Sequence, residues 1–211
     1  MSDHAMPRWA PNALTLLRIA LVPAFLSHAI WCEQSVAAGG SDAPHRHLAL
    51  AAFVAIGVSD VLDGWIARRW GLITPLGATL DAAADKFAQV SALVFFLVSD
   101  GVAYATLPLW FVATIVLRDV LLAIGYVTVR RRRGRVVVVH EAHGKVATVL
   151  LFALVVWMIL DLPHGAVVPL CVVIAALVAM STARYIHVGW QQLGSRPVAA
   201  SDDPSSGPSQ V

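Results

Sequence analysis

The feature that most constrains this chain is a series of long apolar stretches separated by short polar connections. A helix of roughly 17–25 mostly apolar residues can cross the hydrocarbon core of a bilayer. Six stretches fall in this range, and we predict that each forms a membrane-spanning helix. The predicted helices cover residues 13–31, 48–68, 78–99, 107–129, 145–161 and 166–189. The sequence therefore predicts an all-α integral membrane protein whose six helices form one bundle.

The composition agrees with a membrane protein and disfavours soluble classes. Of 211 residues, 58% are hydrophobic and only 13% are charged, whereas a soluble domain carries about 25% charged residues. The formal net charge is only +2, so we expect membrane lipids as partners and no nucleic acid.

The polar segments divide the chain. We predict a loop over residues 32–47, which contain Gly39 and Pro44, and tight turns over 100–106 and 161–165. The last residues are rich in Ser, Pro and Asp, a composition typical of disorder. The expected layout is an N-terminal cytoplasmic segment, a six-helix domain and a disordered tail, over residues 1–12, 13–190 and 191–211.

Positive charge predicts how the bundle is oriented. With six spans, Arg68, Arg69 and the arginines of residues 130–135 lie on the same side as both termini. The connections on the opposite side contain a single Lys or Arg residue, Arg46. Cytoplasmic loops of membrane proteins carry an excess of Lys and Arg. We therefore expect a multi-pass protein of the cell (inner) membrane, with both termini in the cytoplasm.

Four aspartates lie near the predicted cytoplasmic ends of the second and third helices: Asp60, Asp63, Asp81 and Asp85. Spacings of three and four residues place each pair on one helix face, and the connection is short enough to bring the two faces together. Carboxylates at close range need compensating positive charge. Oxygen ligands suit Mg²⁺ or Mn²⁺, so we predict a metal site that faces the cytoplasm.

Other interpretations of the acidic residues remain open. They would be water-facing helix ends in a purely structural protein. In a cation transporter they would lie near the middle of the bilayer, and in a membrane prenyltransferase they would form two motifs far apart in sequence. The aspartates instead lie close together at one face beside Arg68, whose guanidinium suits phosphate oxygens.

The same residues carry a resemblance to a known family. Eight positions are similar to the signature of the CDP-alcohol phosphotransferases: Asp60, Asp63, Gly64, Ala67, Arg68, Gly77, Asp81 and Asp85. The resemblance covers about residues 10–190. It implies an enzyme of phospholipid synthesis that transfers a phosphatidyl group from CDP-diacylglycerol to an alcohol and releases CMP. It also implies a homodimer.

The resemblance further implies a role for each signature residue. Asp60, Asp63 and Asp81 would bind a divalent ion, and Asp85 would be the general base and a ligand of a second ion. The implied CDP-binding set is Asp60, Asp63, Gly64, Ala67, Arg68 and Gly77.

The N-terminal stretch from Pro11 to Pro23 resembles the opening of phosphatidylglycerophosphate synthases and of related cardiolipin synthases. Asn12, Thr15 and Arg18 share one helix face in this stretch. Two interpretations are open for them: a helix cap with an interfacial arginine, or part of the nucleotide site.

The acceptor is predicted from basic residues in later helices. Arg118, Lys145 and Arg184 would hold the phosphate of the acceptor, whereas in the structural alternative Arg118 pairs with Asp119. The Arg118–Asp119 pair stands where the synthases of phosphatidylglycerophosphate typically have Arg-Glu, and Tyr126 replaces their second arginine. We expect glycerol-3-phosphate, the commoner acceptor of this branch, and phosphatidylglycerol is the alternative.

Overall fold

A computed structural model describes residues 10–71, 74–133 and 142–194. Within these ranges the protein is all-helical and contains no strand. The six long helices are α1 (Ala10–Ala37), α2 (Ala43–Arg69), α3 (Pro75–Val98), α4 (Leu109–Arg133), α5 (Ala142–Ile159) and α6 (Val167–Gly194). A short 3-10 helix, His164–Ala166, precedes α6. The prediction of six helices and an all-α fold is confirmed. The predicted start of a disordered tail at residue 191 is wrong, because α6 continues to Gly194, and the rest of the predicted tail lies outside the described residues.

The predicted loop over residues 32–47 is wrong for most of its length. Helix α1 continues to Ala37, and α2 already begins at Ala43. Gly39 has a φ of +76°, a left-handed conformation that suits glycine just after a helix end. Pro44 lies in the first turn of α2, where its missing N–H has no helical partner to lose. Gly39 and Pro44 therefore bracket a tight turn between two longer helices.

The core is built from aromatic and aliphatic side chains of all six helices. The ring of Phe53 in α2 lies 5.3 Å from that of Phe25 in α1 and 4.9 Å from that of Phe152 in α5. Gly57 permits this approach, because a Cβ atom there would lie 2.6 Å from the Phe152 ring. Helix α2 is thus held between α1 and α5, and α6 packs against both α4 and α5.

Arg46, in the first turn of α2, joins three parts of the bundle at the end opposite the aspartates of α2. Its guanidinium donates to the carbonyl of Ile159 over 3.1 Å and to that of Ala103 over 3.0 Å. Its Nε donates to Asp42 over 2.7 Å, and the Tyr104 ring centroid lies 5.0 Å from its Cζ. These contacts fix the start of α2 against the end of α5 and the α3–α4 connection.

Three helical segments in the described part of the chain are long and apolar enough to cross a membrane: Ala13–Ala37, Ala43–Arg69 and His164–His187. A shorter apolar helix covers Val146–Ile159. Helix α3 carries three charged residues in its first half, and α4 carries Arg118 and Asp119 near its middle. Large apolar side chains are exposed along most of the helices, as expected where lipid rather than water surrounds a protein.

Candidate metal centre

The connection between α2 and α3 places two pairs of aspartates face to face. Gly71 has a φ of +63° directly after the end of α2, and Pro75 begins α3. The hydroxyl of Thr74 accepts a hydrogen bond from the Gly77 N–H over 3.0 Å and so caps α3. The chain therefore reverses within a few residues, and α3 starts beside the end of α2.

We call Asp60, Asp63, Asp81 and Asp85 the acid cluster. One carboxylate oxygen from each of Asp60, Asp63 and Asp81 lies within 4.8 Å of the other two. The side chain of Asp63 is buried, whereas those of Asp60, Asp81 and Asp85 are partly exposed. An all-oxygen set of this kind fits a hard divalent cation. Its exposed side leaves room for oxygen ligands from a substrate.

Arg18 of α1 lies at the centre of the acid cluster and is completely buried, with 0% of its side chain exposed. Its Nη2 lies 3.1 Å from Asp60 Oδ1 and 2.7 Å from Asp63 Oδ2. Its Nη1 lies 2.9 Å from Asp81 Oδ1 and also bonds Asp85 Oδ1. A single guanidinium thus connects α1 to both carboxylate-bearing helices.

Neither sequence-based interpretation of Arg18 included its contacts with the aspartates. The side chain lies among Asp60, Asp63, Asp81 and Asp85, and the first two of these also belong to the predicted CDP-binding set. Thr15 is buried on the same helix, and the side chain of Asn12 lies outside the described residues. One sequence signal pointed to the observed contact, because an arginine inside an apolar helix needs an acidic partner.

The remaining signature residues lie around the acid cluster on α2 and α3. Arg68 is exposed near the end of α2. A Cβ atom at Gly64 would lie 3.5 Å from Arg68 Nη1, an ordinary contact distance. Ala67 is part-buried one turn after Asp63, and Gly77 is part-buried in the first turn of α3. The structure thus leaves Arg68 accessible to a ligand.

The three residues predicted to bind the acceptor phosphate have different surroundings. Arg118 Nη1 lies 3.3 Å from Asp119 Oδ1, so the structural pairing is present. Asp119 Oδ2 also lies 2.7 Å from Nζ of Lys86, a contact that the sequence analysis missed. Arg184 is exposed on α6. Lys145 belongs to α5, and its side chain lies outside the described part of the protein.

A cavity of about 330 Å³ lies between α2, α3 and α5 and reaches the acid cluster. Asp60, Asp85, Lys86 and Gln89 line its polar part, and most of its other walls are apolar. The cavity gives an amphipathic molecule access to the carboxylate of Asp85. No short-range pattern predicts this cavity, because α5, which completes its walls, is distant in sequence from α2 and α3.

A sequence model described as CDP-alcohol phosphatidyltransferase matches residues 8–185, which is most of the chain. The chain belongs to this family. The resemblance inferred from the eight signature positions is therefore confirmed. Membership of a family of membrane enzymes, together with the apolar helices, identifies the chain as a multi-pass membrane protein.

Curated relatives carry the names of two different enzymes. The chain is 38% identical over 125 residues to the cardiolipin synthase (CMP-forming) of Streptomyces coelicolor. The aligned region covers 59% of the chain and 52% of that protein. It is 38% identical over 114 residues to the CDP-diacylglycerol–glycerol-3-phosphate 3-phosphatidyltransferase of Bacillus subtilis, covering 52% and 55%. The protein of that second name from Blochmanniella floridana is 30% identical over 113 residues, covering 54% and 53%. The chain spans about half the length of the curated relatives it matches.

Proposed function

We propose that this chain transfers a phosphatidyl group from CDP-diacylglycerol to a hydroxyl of a glycerol-type acceptor and releases CMP. The observation that carries the proposal is the convergence of four carboxylates from α2 and α3 on one point. The family match supports it. The same match favours a transferase over the alternative of a cation transporter.

In this proposal the acid cluster and its neighbours bind the donor. Asp60, Asp63 and Asp81 hold one Mg²⁺ or Mn²⁺ ion, and Asp85 contributes to a second. Bound ions of this kind neutralise charge on a diphosphate. Arg68 contacts phosphate oxygens through its planar guanidinium. Close approach of CDP is permitted by three small residues, Gly64, Ala67 and Gly77.

Asp85 is proposed as the general base. Its carboxylate takes the proton from the acceptor hydroxyl, and the resulting oxygen attacks the phosphorus that bears the diacylglycerol. A new P–O bond forms as the bond to CMP breaks, and CMP leaves with the electron pair. The cavity beside Asp85 supports this role, because it leaves space next to that carboxylate for an acceptor hydroxyl.

Glycerol-3-phosphate is the first candidate acceptor, and its product would be phosphatidylglycerophosphate. Arg118, Lys145 and Arg184 are proposed to bind its phosphate. Phosphatidylglycerol is the second candidate, which would make the chain a cardiolipin synthase. The Arg118–Asp119 pair and the similarity to a protein named cardiolipin synthase favour this second acceptor.

We further propose that all six helices cross the inner membrane, with both termini and the acid cluster at the cytoplasmic side. The distribution of arginines supports this orientation. Residues 1–12 form the cytoplasmic segment, and residues 13–190 form the catalytic domain. The chain is proposed to act as a homodimer.

The experiment that tests the activity uses the purified full chain in detergent with Mg²⁺ or Mn²⁺ and CDP-diacylglycerol. Labelled glycerol-3-phosphate and labelled phosphatidylglycerol are supplied in separate reactions, and CMP and lipid products are measured. We expect metal-dependent CMP release with one acceptor. Labelled phosphatidylglycerophosphate or cardiolipin then identifies the branch. Absence of CMP release with both acceptors would contradict the proposed function.

A further inference from the structure

The two terminal nitrogens of Arg18 divide the acid cluster by helix. Nη2 contacts Asp60 and Asp63 of α2, and Nη1 contacts Asp81 and Asp85 of α3. The Nε atom is buried and has no hydrogen-bond partner among the described residues. Within the described structure this guanidinium hydrogen-bonds Asp63, Asp81 and Asp85. It also forms an ion pair with Asp60.

Three of the four carboxylates that Arg18 contacts, those of Asp60, Asp63 and Asp81, are the ones that offer a divalent ion its ligands. Those ligand atoms lie within 4.8 Å of one another, and the Nη contacts to Asp60, Asp63 and Asp81 are 2.7–3.1 Å long. A guanidinium and a metal ion cannot both take the same lone pairs at full strength. The two cations would therefore draw on the same three carboxylates.

The charge balance of the cluster points to a second cation. One guanidinium faces four carboxylates, so an excess of negative charge remains when the carboxylates are ionised. Like charges at this distance repel strongly unless they are compensated. Arg18 thus compensates enough charge to hold α2 and α3 together, but leaves the site attractive to a divalent ion.

We propose that Arg18 is a built-in counter-cation that assembles the acid cluster in the metal-free protein and competes with the divalent ion for its carboxylate oxygens. Arg18 is a positioning residue in this account. The proposal rests on the proposed function only in taking the acid cluster as the metal site. It makes metal affinity a compromise, because the residue that preforms the site also weakens binding of the ion.

The fork of arginine is essential to this role. Arginine presents two terminal nitrogens in a fixed plane, whereas lysine presents one compact ammonium. Only a fork lets one side chain of α1 serve α2 with one nitrogen and α3 with the other. Charge and bridging geometry can therefore be separated by substitution, since lysine retains the charge and loses the fork.

The test uses the purified full chain in detergent and measures two quantities that need no turnover. Mn²⁺ affinity is obtained from the electron paramagnetic resonance signal of free Mn²⁺, and Tm is measured with EDTA and with saturating Mn²⁺. The variants are Arg18→Gln and Arg18→Lys. The matched control is Arg69→Gln, which removes the same charge from an exposed position at the end of α2.

For Arg18→Gln we expect the Kd for Mn²⁺ to fall by about tenfold or more, because a positive charge next to the ligand oxygens is removed. Its Tm in EDTA should drop, and Mn²⁺ should restore most of the loss. Arg18→Lys should keep a Kd near that of the wild type while its Tm in EDTA drops. Arg69→Gln should match the wild type in both measurements.

If the Mn²⁺ affinity of Arg18→Gln is equal to or weaker than that of Arg69→Gln, the proposed competition between Arg18 and the divalent ion is overturned. Recovery of folded Arg18→Gln only when Mn²⁺ is present throughout would support the proposal. If that variant cannot be recovered at all, Arg18→Lys decides, and a Tm in EDTA equal to that of the wild type overturns the bridging role. Absence of Mn²⁺ binding by the wild type would overturn the metal role itself, which distinguishes the two proposals.

Discussion

Arg18 and Arg46 are both largely buried, yet their partners differ in charge. Arg46 donates to two neutral backbone carbonyls and pairs with Asp42 and, at 3.5 Å, with Asp161. Arg18 faces only carboxylates, all four from the acid cluster. One arginine lies in the first turn of α2, and the other contacts the aspartates toward the end of the same helix.

The difference separates a structural joint from a candidate chemical site. The contacts of Arg46 use its hydrogen-bonding capacity and leave little uncompensated charge. The contacts of Arg18 leave an excess of negative charge on partly exposed oxygens, which can attract a metal ion. A buried arginine is therefore better interpreted from the charge of its partners than from its burial.

The strongest effect is expected in the acid cluster that Arg18 contacts, where Asp85→Asn removes the proposed base. We expect the rate of CMP release to fall by about 10²–10⁴-fold, the usual contribution of general base catalysis. Binding of CDP-diacylglycerol should change little, and the control is Asp100→Asn, an exposed residue in the α3–α4 connection. Turnover within a few-fold of the wild type would remove Asp85 from the role of base.

In the first turn of α2, Arg46→Gln tests whether Arg46 has only a structural role. Loss of its hydrogen bonds should lower the free energy of unfolding by about 2–4 kcal/mol, measured as a drop in Tm in detergent. The Kd for Mn²⁺ should stay at its wild-type value. The control is Arg131→Gln, at an exposed position of α4. A changed Mn²⁺ affinity in Arg46→Gln but not in Arg131→Gln would contradict the distinction between Arg18 and Arg46.

In the middle of α2, between Arg46 and Asp60, Gly57→Ala tests the packing that holds this helix in place. The added Cβ atom would lie 2.6 Å from the Phe152 ring, and overpacking of this kind costs about 1–3 kcal/mol. We expect a lower Tm than for Gly165→Ala, whose added Cβ has no atom within 4 Å. Equal Tm values for the two variants would show that α5 yields easily and does not fix α2.

The smallest expected effect concerns the proposed acceptor pocket. Arg118→Ala should raise the KM of the acceptor by about tenfold, which corresponds to roughly 1.4 kcal/mol, and should leave the KM of CDP-diacylglycerol nearly unchanged. Arg69→Ala is the control for loss of one cytoplasmic charge. An equal rise in both KM values would place Arg118 in a structural pair with Asp119 rather than in the acceptor pocket.

Helix number and the sharing of a face by each pair of aspartates were predictable, because both depend on local periodicity. The length of α1 was mispredicted, since residues 32–37 are more polar than a membrane span yet still helical. Lys86 and its contact with Asp119 were missed for another reason. Such a contact depends on how α3 lies against α4, and no short-range pattern encodes that arrangement.

The six helices, the family and the four carboxylates follow from local sequence signals, because apolar length and fixed spacing act within one or two neighbouring elements. The contact between these carboxylates and Arg18 depends on the tertiary fold, since Arg18 lies 42 residues before Asp60 along the chain and meets it through the packing of α1 against α2 and α3. Desolvation inside that packing is what requires the buried arginine to be paired with acids.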